Sequence, residues 1–408
     1  MHHAEIKLDR IGTNFTMTAT IASQPAIRNW GRGLGLCSGQ MEPVYDLLEP
    51  LESIPDIKGR TVWTREEMEA DPGRWLRAFT ADEVTHIKEA VRAFDAMGLS
   101  LAKVDRTTFF LPAPLAAVLA KVRDEVINGV GFAVLRGLPV ESWTGRQSAI
   151  ACLGLGAYIG PRLSQNGQGH MLGHIKDLAE GKEVNGEGRI YRTHKAQPFH
   201  TDESDIVGLL CVQQAIGGGE NGEGSGGESQ VVSAHNIFNT LRREHPEVLR
   251  QLCTAHWFYD RKGEESAGEL PWMRTPGFYY HAGRLSMKWD SYYVGALQRF
   301  WEKDLLPRYS EAQLEAIRVM EEYCHRLCLE MTLQTGDFQL VANTHNLHAR
   351  SGYHDPDDVD KRRWLLRLWL ATPEAEGGWP LPFADSGYVK RGGVQVNETP
   401  ESYPLDAE

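Results

Sequence analysis

The chain of 408 residues is 41% hydrophobic and 24% charged, which suits a globular fold of one large domain or two modest ones. A formal net charge of −12 at pH 7 opposes binding to nucleic acid or to an anionic membrane, because the summed field repels both; a small organic molecule is the expected partner. Met1-His2-His3-Ala4-Glu5 lacks the basic cluster and apolar stretch of a secretory signal, and apolar runs such as Val207 to Val212 are too short to cross a bilayer, so a cytoplasmic protein is expected.

Residues 1–60 show no periodicity, and Gly31, Gly33 and Gly35 punctuate what reads as a loop or arm. Thr80 and Glu83 form a capping-box pattern, behind which Val84, Ile87, Ala90, Val91 and Phe94 recur at helical spacing. A second helix is predicted through Leu115, Val118, Leu119, Val122 and Val126. The period then changes: Phe132-Ala133-Val134-Leu135, closed by Gly137 and Pro139, predicts a buried strand. From there to residue 372, strand-like segments alternate with polar loops and two helical insertions. One insertion runs from Ile237 to Leu252. The other is capped by Ser310 with Gln313 and carries Leu314, Ile317, Met320, Cys324, Leu327 and Met331 along one face. The acidic, glycine-rich stretch 217–227 predicts a flexible hairpin loop, since no Lys-Ser/Thr follows its glycines and its glutamates would repel phosphate. The tail after residue 372 is irregular. With no repeat and no domain-scale linker, residues 1–128 form an arm and helices, 129–372 the core and 373–408 the tail of one folded unit.

The six cysteines have no framework spacing and predict reduced, mostly buried thiols. Cys324 and Cys328 share a helix face beside His325, but no second pair exists to complete a zinc site.

The chemistry concentrates elsewhere. His200 and Asp202 stand two apart, so on a strand both project to one face while Thr201 points away. His348, far downstream, must come from another strand brought alongside. Two imidazoles and one carboxylate on one side of a divalent ion leave three positions free, as non-haem Fe(II) oxygenases require. A lone His-x-Asp triplet is cheap, and His345, His354 and Asp355 are rival donors. What raises the pattern above chance is the strand-like segment Lys361 to Leu370, where Arg363 and Arg367 share a face. Burying arginine in an apolar strand is costly unless an acid answers it, and a guanidinium suits bidentate carboxylate recognition. The alternatives are an ordinary ion pair, and a cupin-like metal-dependent hydrolase or isomerase on the same three ligands.

Phe199-His200-Thr201-Asp202, Gly226-Gly227-Glu228-Ser229, Gly336-Asp337-Phe338 leading to Asn343 and His348, and Arg363-Trp364-Leu365-Leu366-Arg367, in this order, resemble the TauD/TfdA-like family of Fe(II)- and 2-oxoglutarate-dependent dioxygenases, related to taurine dioxygenase and clavaminate synthase-like enzymes. The resemblance implies an α+β chain, mainly β, with a double-stranded β-helix (jelly-roll, cupin-like) core and packed helical insertions. It also implies His200, Asp202 and His348 as iron ligands, Arg367 on the distal carboxylate of 2-oxoglutarate, Arg363 in support, and Ser229 as a hydroxyl donor where the family commonly has threonine. Fe(II), 2-oxoglutarate and dioxygen are the implied cofactor and co-substrates. Because Asp202 is present where related halogenases have a small residue, hydroxylation or another oxidation such as desaturation is expected. Gln168, His170 and His174, with Tyr191 and Arg192, are candidate substrate contacts; a polar barrel rim without a ligand role is the equal alternative. A homo-oligomer is left open.

Overall fold

Alternation along the strand Trp364–Leu370 sorts the molecule into layers. Leu366, Leu368 and Leu370 pack into one apolar cluster with helical residues such as Phe94, Leu119 and Leu153, whereas Leu365 and Trp369 join another with Val207, Val231 and Val341. One face of this strand therefore meets helices and the other meets a barrel interior.

The computed structural model describes residues 51–178, 192–216, 226–254, 256–265, 270–380, 393–394, 396 and 399–407, with the backbone of two further strands, β1 (His3–Lys7) and β2 (Thr16–Thr20). Gly31, Gly33, Gly35, Cys37, Tyr191 and most of the glycine-rich stretch lie outside the described residues. β1 and β2 pair antiparallel, a hairpin where the sequence shows no periodicity.

The helices are α1 (Arg65–Ala70), α2 (Ala81–Ala96), α3 (Ala113–Asn128), α4 (Gly145–Ala157), α5 (Ala234–Glu244), α6 (Pro246–Leu252), α7 (Ser291–Gly295), α8 (Gln298–Trp301) and α9 (Glu311–Leu327). The remaining strands are β3 (Leu76–Ala78), β4 (Phe132–Arg136), β5 (Arg162–Leu163), β6 (Gly173–Lys176), β7 (Gln197–His200), β8 (Ile206–Gln213), β9 (Ser229–Ser233), β10 (Trp257–Asp260), β11 (Trp272–Thr275), β12 (Phe278–His281), β13 (Arg284–Met287), β14 (Leu329–Met331), β15 (Phe338–Ala342), β16 (Asn346–Arg350) and β17 (Trp364–Leu370). The larger sheet runs β3-β4-β15-β8-β17-β5, with β6 also on β17; the smaller runs β14-β9-β16-β7. Side chains of both sheets share one cluster, so the sheets pack face to face as a jelly roll. Helices α2 to α4 cover the outer face of the larger sheet, and the insertion from α5 to α9 covers the outer face of the smaller one.

The capping boxes at Thr80 and Ser310 form as expected. Other expectations need correction. The first helix is α1, closed by its own capping box at Thr64 and Glu67. The insertion from Ile237 breaks at His245, because the residue before Pro246 is driven out of helical conformation. Met331 leaves α9 for β14. Helix α4, absent from the sequence reading, is buried along nearly its whole length, so it has no polar face to create a period. The five described cysteines are free; burial pushes Cys211 and Cys253 up to about 12, far from thiolate chemistry.

Gly336-Asp337-Phe338 owes its pattern to a buried turn. Arg136 donates from Nε and Nη2 to the fully buried Asp337 carboxylate at 2.9 and 2.8 Å, and Gln334 N donates to it at 2.8 Å. Replacing Arg136 by Met leaves that carboxylate without its cation; chemical denaturation is expected to show a loss of about 3 kcal/mol.

Burial also fixes several imidazoles in the neutral form. His235 and His256 are each pushed down to about 4, and His345, buried beside Trp379 and His235, lies well below 6.5. The unfolded chain takes up these protons near pH 6.5 and the folded one does not, so their stabilising effect is present above that pH and is lost on acidification toward pH 4. Unfolding free energy of the metal-free protein is expected to fall by up to about 1.4 kcal/mol per pH unit for each such histidine.

Candidate metal centre

β7 and β16 lie antiparallel with His200 directly opposite His348, which brings the downstream histidine alongside the upstream pair. β7 ends at His200, so Asp202 belongs to the following turn rather than to the strand. That turn is stapled from both sides. Thr201 N donates to Trp289 O at 2.7 Å, which turns Thr201 away, and Asp202 N donates to Asn343 Oδ1 at 3.0 Å. Asn343 in turn donates from Nδ2 to Ser204 O at 2.9 Å. The carboxylate returns to the histidine face as a result.

The Nε2 atoms of both histidines stand 3.7 Å from the Asp202 carboxylate, and one donor atom from each of the three residues fits within 4.8 Å of the others. The imidazole rings are 4.1 Å apart between centroids. His200 Nδ1 donates to Pro198 O at 2.9 Å, which fixes the tautomer and leaves the Nε2 lone pair facing inward. Gln197 Nε2 donates to that lone pair at 3.0 Å. Burial, then the neighbouring His200, pushes His348 down to about 3, so it stays a neutral donor. Burial raises the Asp202 carboxyl, but Arg367 with the two histidines outweighs it and holds it ionised, below the ordinary carboxylate range. Asp202 Oδ2 and His348 Nδ1 are buried without a hydrogen-bonding partner among the described residues. A cation among these donors would answer the buried oxygen, and a two-imidazole, one-carboxylate set suits ferrous iron.

Three buried arginines surround the centre. Arg367 donates from Nε to Gln165 Oε1 at 2.8 Å, and Gln165 Nε2 donates back to Arg367 O at 2.8 Å; Nη1 of Arg367 is 3.8 Å from Asp202 Oδ1. Arg363 precedes β17, and its Nη1 is buried with no hydrogen-bonding partner among the described residues. Gly226 and Gly227 both adopt left-handed backbone, with φ of 71° and 82°, and a Cβ on Gly227 would come 3.1 Å from Arg363 Nε. The two glycines let β9 begin close against that arginine. Ser229, the first residue of β9, donates to Gln339 Oε1 at 3.0 Å. Arg350, two residues after His348 on β16, faces the same cavity.

That cavity is lined by His200, Asp202, His348, Ser229, Arg363 and Arg367 together, so the structure gathers the six residues expected from the metal and co-substrate motifs. It does not gather Gln168, His170 or Arg192, which lie outside the cavity lining. Gln168 is exposed, His170 sits 3.1 Å from Asn166 Nδ2 and bridges to Ser402, and Arg192 O accepts from Leu178 N. His174 lies under the C-terminal tail, 3.0 Å from Pro404 O. Sequence reasoning missed Gln165, Gln197 and Arg350. The period-two rule applied to His348 would have found Arg350; nothing local marks the two glutamines.

A jelly roll that encloses such a cluster is the architecture of the non-haem iron, 2-oxoglutarate-dependent dioxygenases. Residues 95–369 match the family model described as Taurine catabolism dioxygenase TauD, TfdA family, and the chain belongs to that family. FR-33289 synthase of Streptomyces rubellomurinus is 34% identical over 331 residues, covering 80% of this chain and 92% of that protein. A taurine hydroxylase-like protein of Stachybotrys chartarum is 29% identical over 306 residues, covering 74% and 75%. Among solved structures, the fold is similar to asparagine oxygenase in complex with Fe(II), 3-hydroxyasparagine and succinate, with a TM-score of 0.57, 16% identity and coverage of 76% of this chain and 98% of that one. It is also similar to the non-haem iron oxygenase OrfP in complex with Fe and 2-oxoglutarate, with a TM-score of 0.54, 16% identity and coverage of 73% and 94%. The chain is an enzyme of this class: it uses Fe(II), 2-oxoglutarate and dioxygen, and oxidises a small molecule with release of succinate and carbon dioxide. No described helix is long and apolar enough to cross a membrane.

Proposed function

We propose that His200, Asp202 and His348 hold the iron, and that the enzyme hydroxylates a C–H bond of a small polar molecule placed against their open side. The observation that carries this reading is the buried cluster itself, with an ionised Asp202 carboxylate set between two imidazoles. When bound, iron with 2-oxoglutarate and dioxygen supplies the oxidising power that removes the substrate hydrogen and delivers oxygen in its place. The chain's own residues place and shield. His200 is aimed by Pro198 O, Asp202 by Asn343, and the apolar side chains of Ile175, Leu209, Leu333 and Leu365 keep water out of the cavity. Gln197 must release the His200 lone pair as the ion enters.

The resemblance assigns the distal carboxylate of 2-oxoglutarate to Arg367 with Arg363 in support; we assign the two in the reverse order. Arg367 has its Nε engaged by Gln165 and its Nη1 beside Asp202, which places it next to the ligands. A five-carbon diacid chelating through its 1-carboxylate and 2-oxo group sets its far carboxylate three C–C bonds beyond the chelating carbons. Arg363, with a buried unpartnered Nη1 and Ser229 near at hand, suits that far end. Ser229 can donate there once the Gln339 amide turns over, so that its nitrogen donates to the serine oxygen. Neighbouring folds act on asparagine and arginine, and one relative is named for taurine, so amino acids and sulfonates are the first substrates to test. The test is succinate release from 2-oxoglutarate with ferrous iron and ascorbate across that panel. Stimulation by one member defines the substrate type; absence of iron-dependent succinate, coupled or uncoupled, would remove the reading.

A further inference from the structure

Arg350 is only 6% exposed, yet much of its hydrogen-bonding capacity is unused. Its Nη2 donates to Thr193 O at 3.2 Å and to Lys195 O, which fixes the plane of the guanidinium. Its Nε and Nη1 make no hydrogen bond of ordinary geometry among the described residues, and neither does Arg363 Nη1; the Tyr353 side chain is the polar neighbour that acts on both arginines. Buried donors left unmade are costly, and two guanidiniums in one cavity repel each other. Burial and then Arg363 push Arg350 down to about 10, which expresses that cost. A fold that keeps both cations there holds a place for an anion.

Arg350 lies directly opposite Ser229 across β16 and β9, and Gly227, just before that strand, lies so close to Arg363 that a Cβ there would come 3.1 Å from its Nε. The Tyr353 ring is within cation–π reach of both cations, 4.6 Å from the Arg350 centre and 5.2 Å from that of Arg363. We propose that Arg350 is a second guanidinium of the co-substrate pocket, donating alongside Arg363 to the distal carboxylate of 2-oxoglutarate; the inference rests on the assignment of Arg363 above. One carboxylate offers about four lone-pair sites, enough for both arginines and Ser229. Asp177 acts electrostatically on Arg350 and Asp355 on Arg363, which offsets the remaining positive charge. Arg350 thereby selects 2-oxo diacids over 2-oxo monoacids.

The test compares binding of 2-oxoglutarate with binding of 2-oxopentanoate, the same chain without the distal carboxylate. Both are titrated into oxygen-free, Fe(II)-loaded protein and followed by the visible absorption of the iron chelate. Arg350→Met is expected to weaken 2-oxoglutarate about tenfold or more and to leave 2-oxopentanoate unchanged, with Arg350→Lys in between. Should Arg350→Met fail to fold, the selective loss in Arg350→Lys carries the test. Unchanged 2-oxoglutarate affinity, or equal loss for both acids, overturns the proposal in favour of a purely structural arginine. Arg363→Met separates the two readings. If it loses 2-oxoglutarate while Arg350→Met does not, this inference fails and the assignment of Arg363 stands; if it too retains full affinity, the assignment itself fails.

Discussion

Asp202→Ala is expected to abolish substrate oxidation while leaving a folded protein. The reasoning starts from charge. Two neutral imidazoles are modest ligands, and Asp202 is the carboxylate between them, so its loss removes the anionic donor and turns the neighbouring Arg367 cation into a repulsive presence beside an incoming ion. The fold does not depend on this side chain. Arg367 is anchored by Gln165, and the turn is held through the Asp202 backbone N–H, which alanine retains. Two measurements check the prediction together: a circular dichroism melt, expected to stay cooperative, and succinate release coupled to product, expected to fall to background. Coupled turnover within tenfold of the unsubstituted enzyme would take Asp202 out of the centre.

How much of this was legible in the sequence depends on what each residue's neighbours supply. α2 and α9 were legible because a capping box and an amphipathic face are both local signals. α4 was not, because a helix surrounded by core has no polar stripe, and its three glycines hide the helix further. The cluster of His200, Asp202 and His348 was legible as residue types with plausible spacing. The means of assembling it was not: the spacing allowed a strand or strand-edge pair, and the structure brings Asp202 back from a turn just past β7 that Asn343 holds. The proposed order of the arginines rests on a contact that spacing does not reveal. An even spacing says that Arg363 and Arg367 share a face, but which of them is already satisfied depends on Gln165, some two hundred residues away and silent in the sequence.

The proposed exchange of roles between those arginines has a measurable signature. Arg363→Met should raise the KM for 2-oxoglutarate by roughly 10²-fold, the cost of removing one partner from a buried charge pair. Arg367→Met should leave that KM within a few-fold and act on kcat instead, since Arg367 lies 3.8 Å from Asp202 and, on the proposed assignment, away from the far end of the diacid. The metal-free protein supplies a second readout that a merely structural arginine would not give. Arg363 is buried with an Nη1 that makes no ordinary hydrogen bond among the described residues, and burial lowers its affinity for the proton, so this cation costs stability when no anion answers it. Methionine of similar length removes that cost. Arg363→Met is therefore expected to melt at or above the temperature of the unsubstituted protein when both are empty, and to lose the stabilisation that 2-oxoglutarate confers on the latter. If Arg367→Met loses 2-oxoglutarate and Arg363→Met does not, the order implied by the resemblance is the right one, and the Gln165 contact serves only to hold β17 in place.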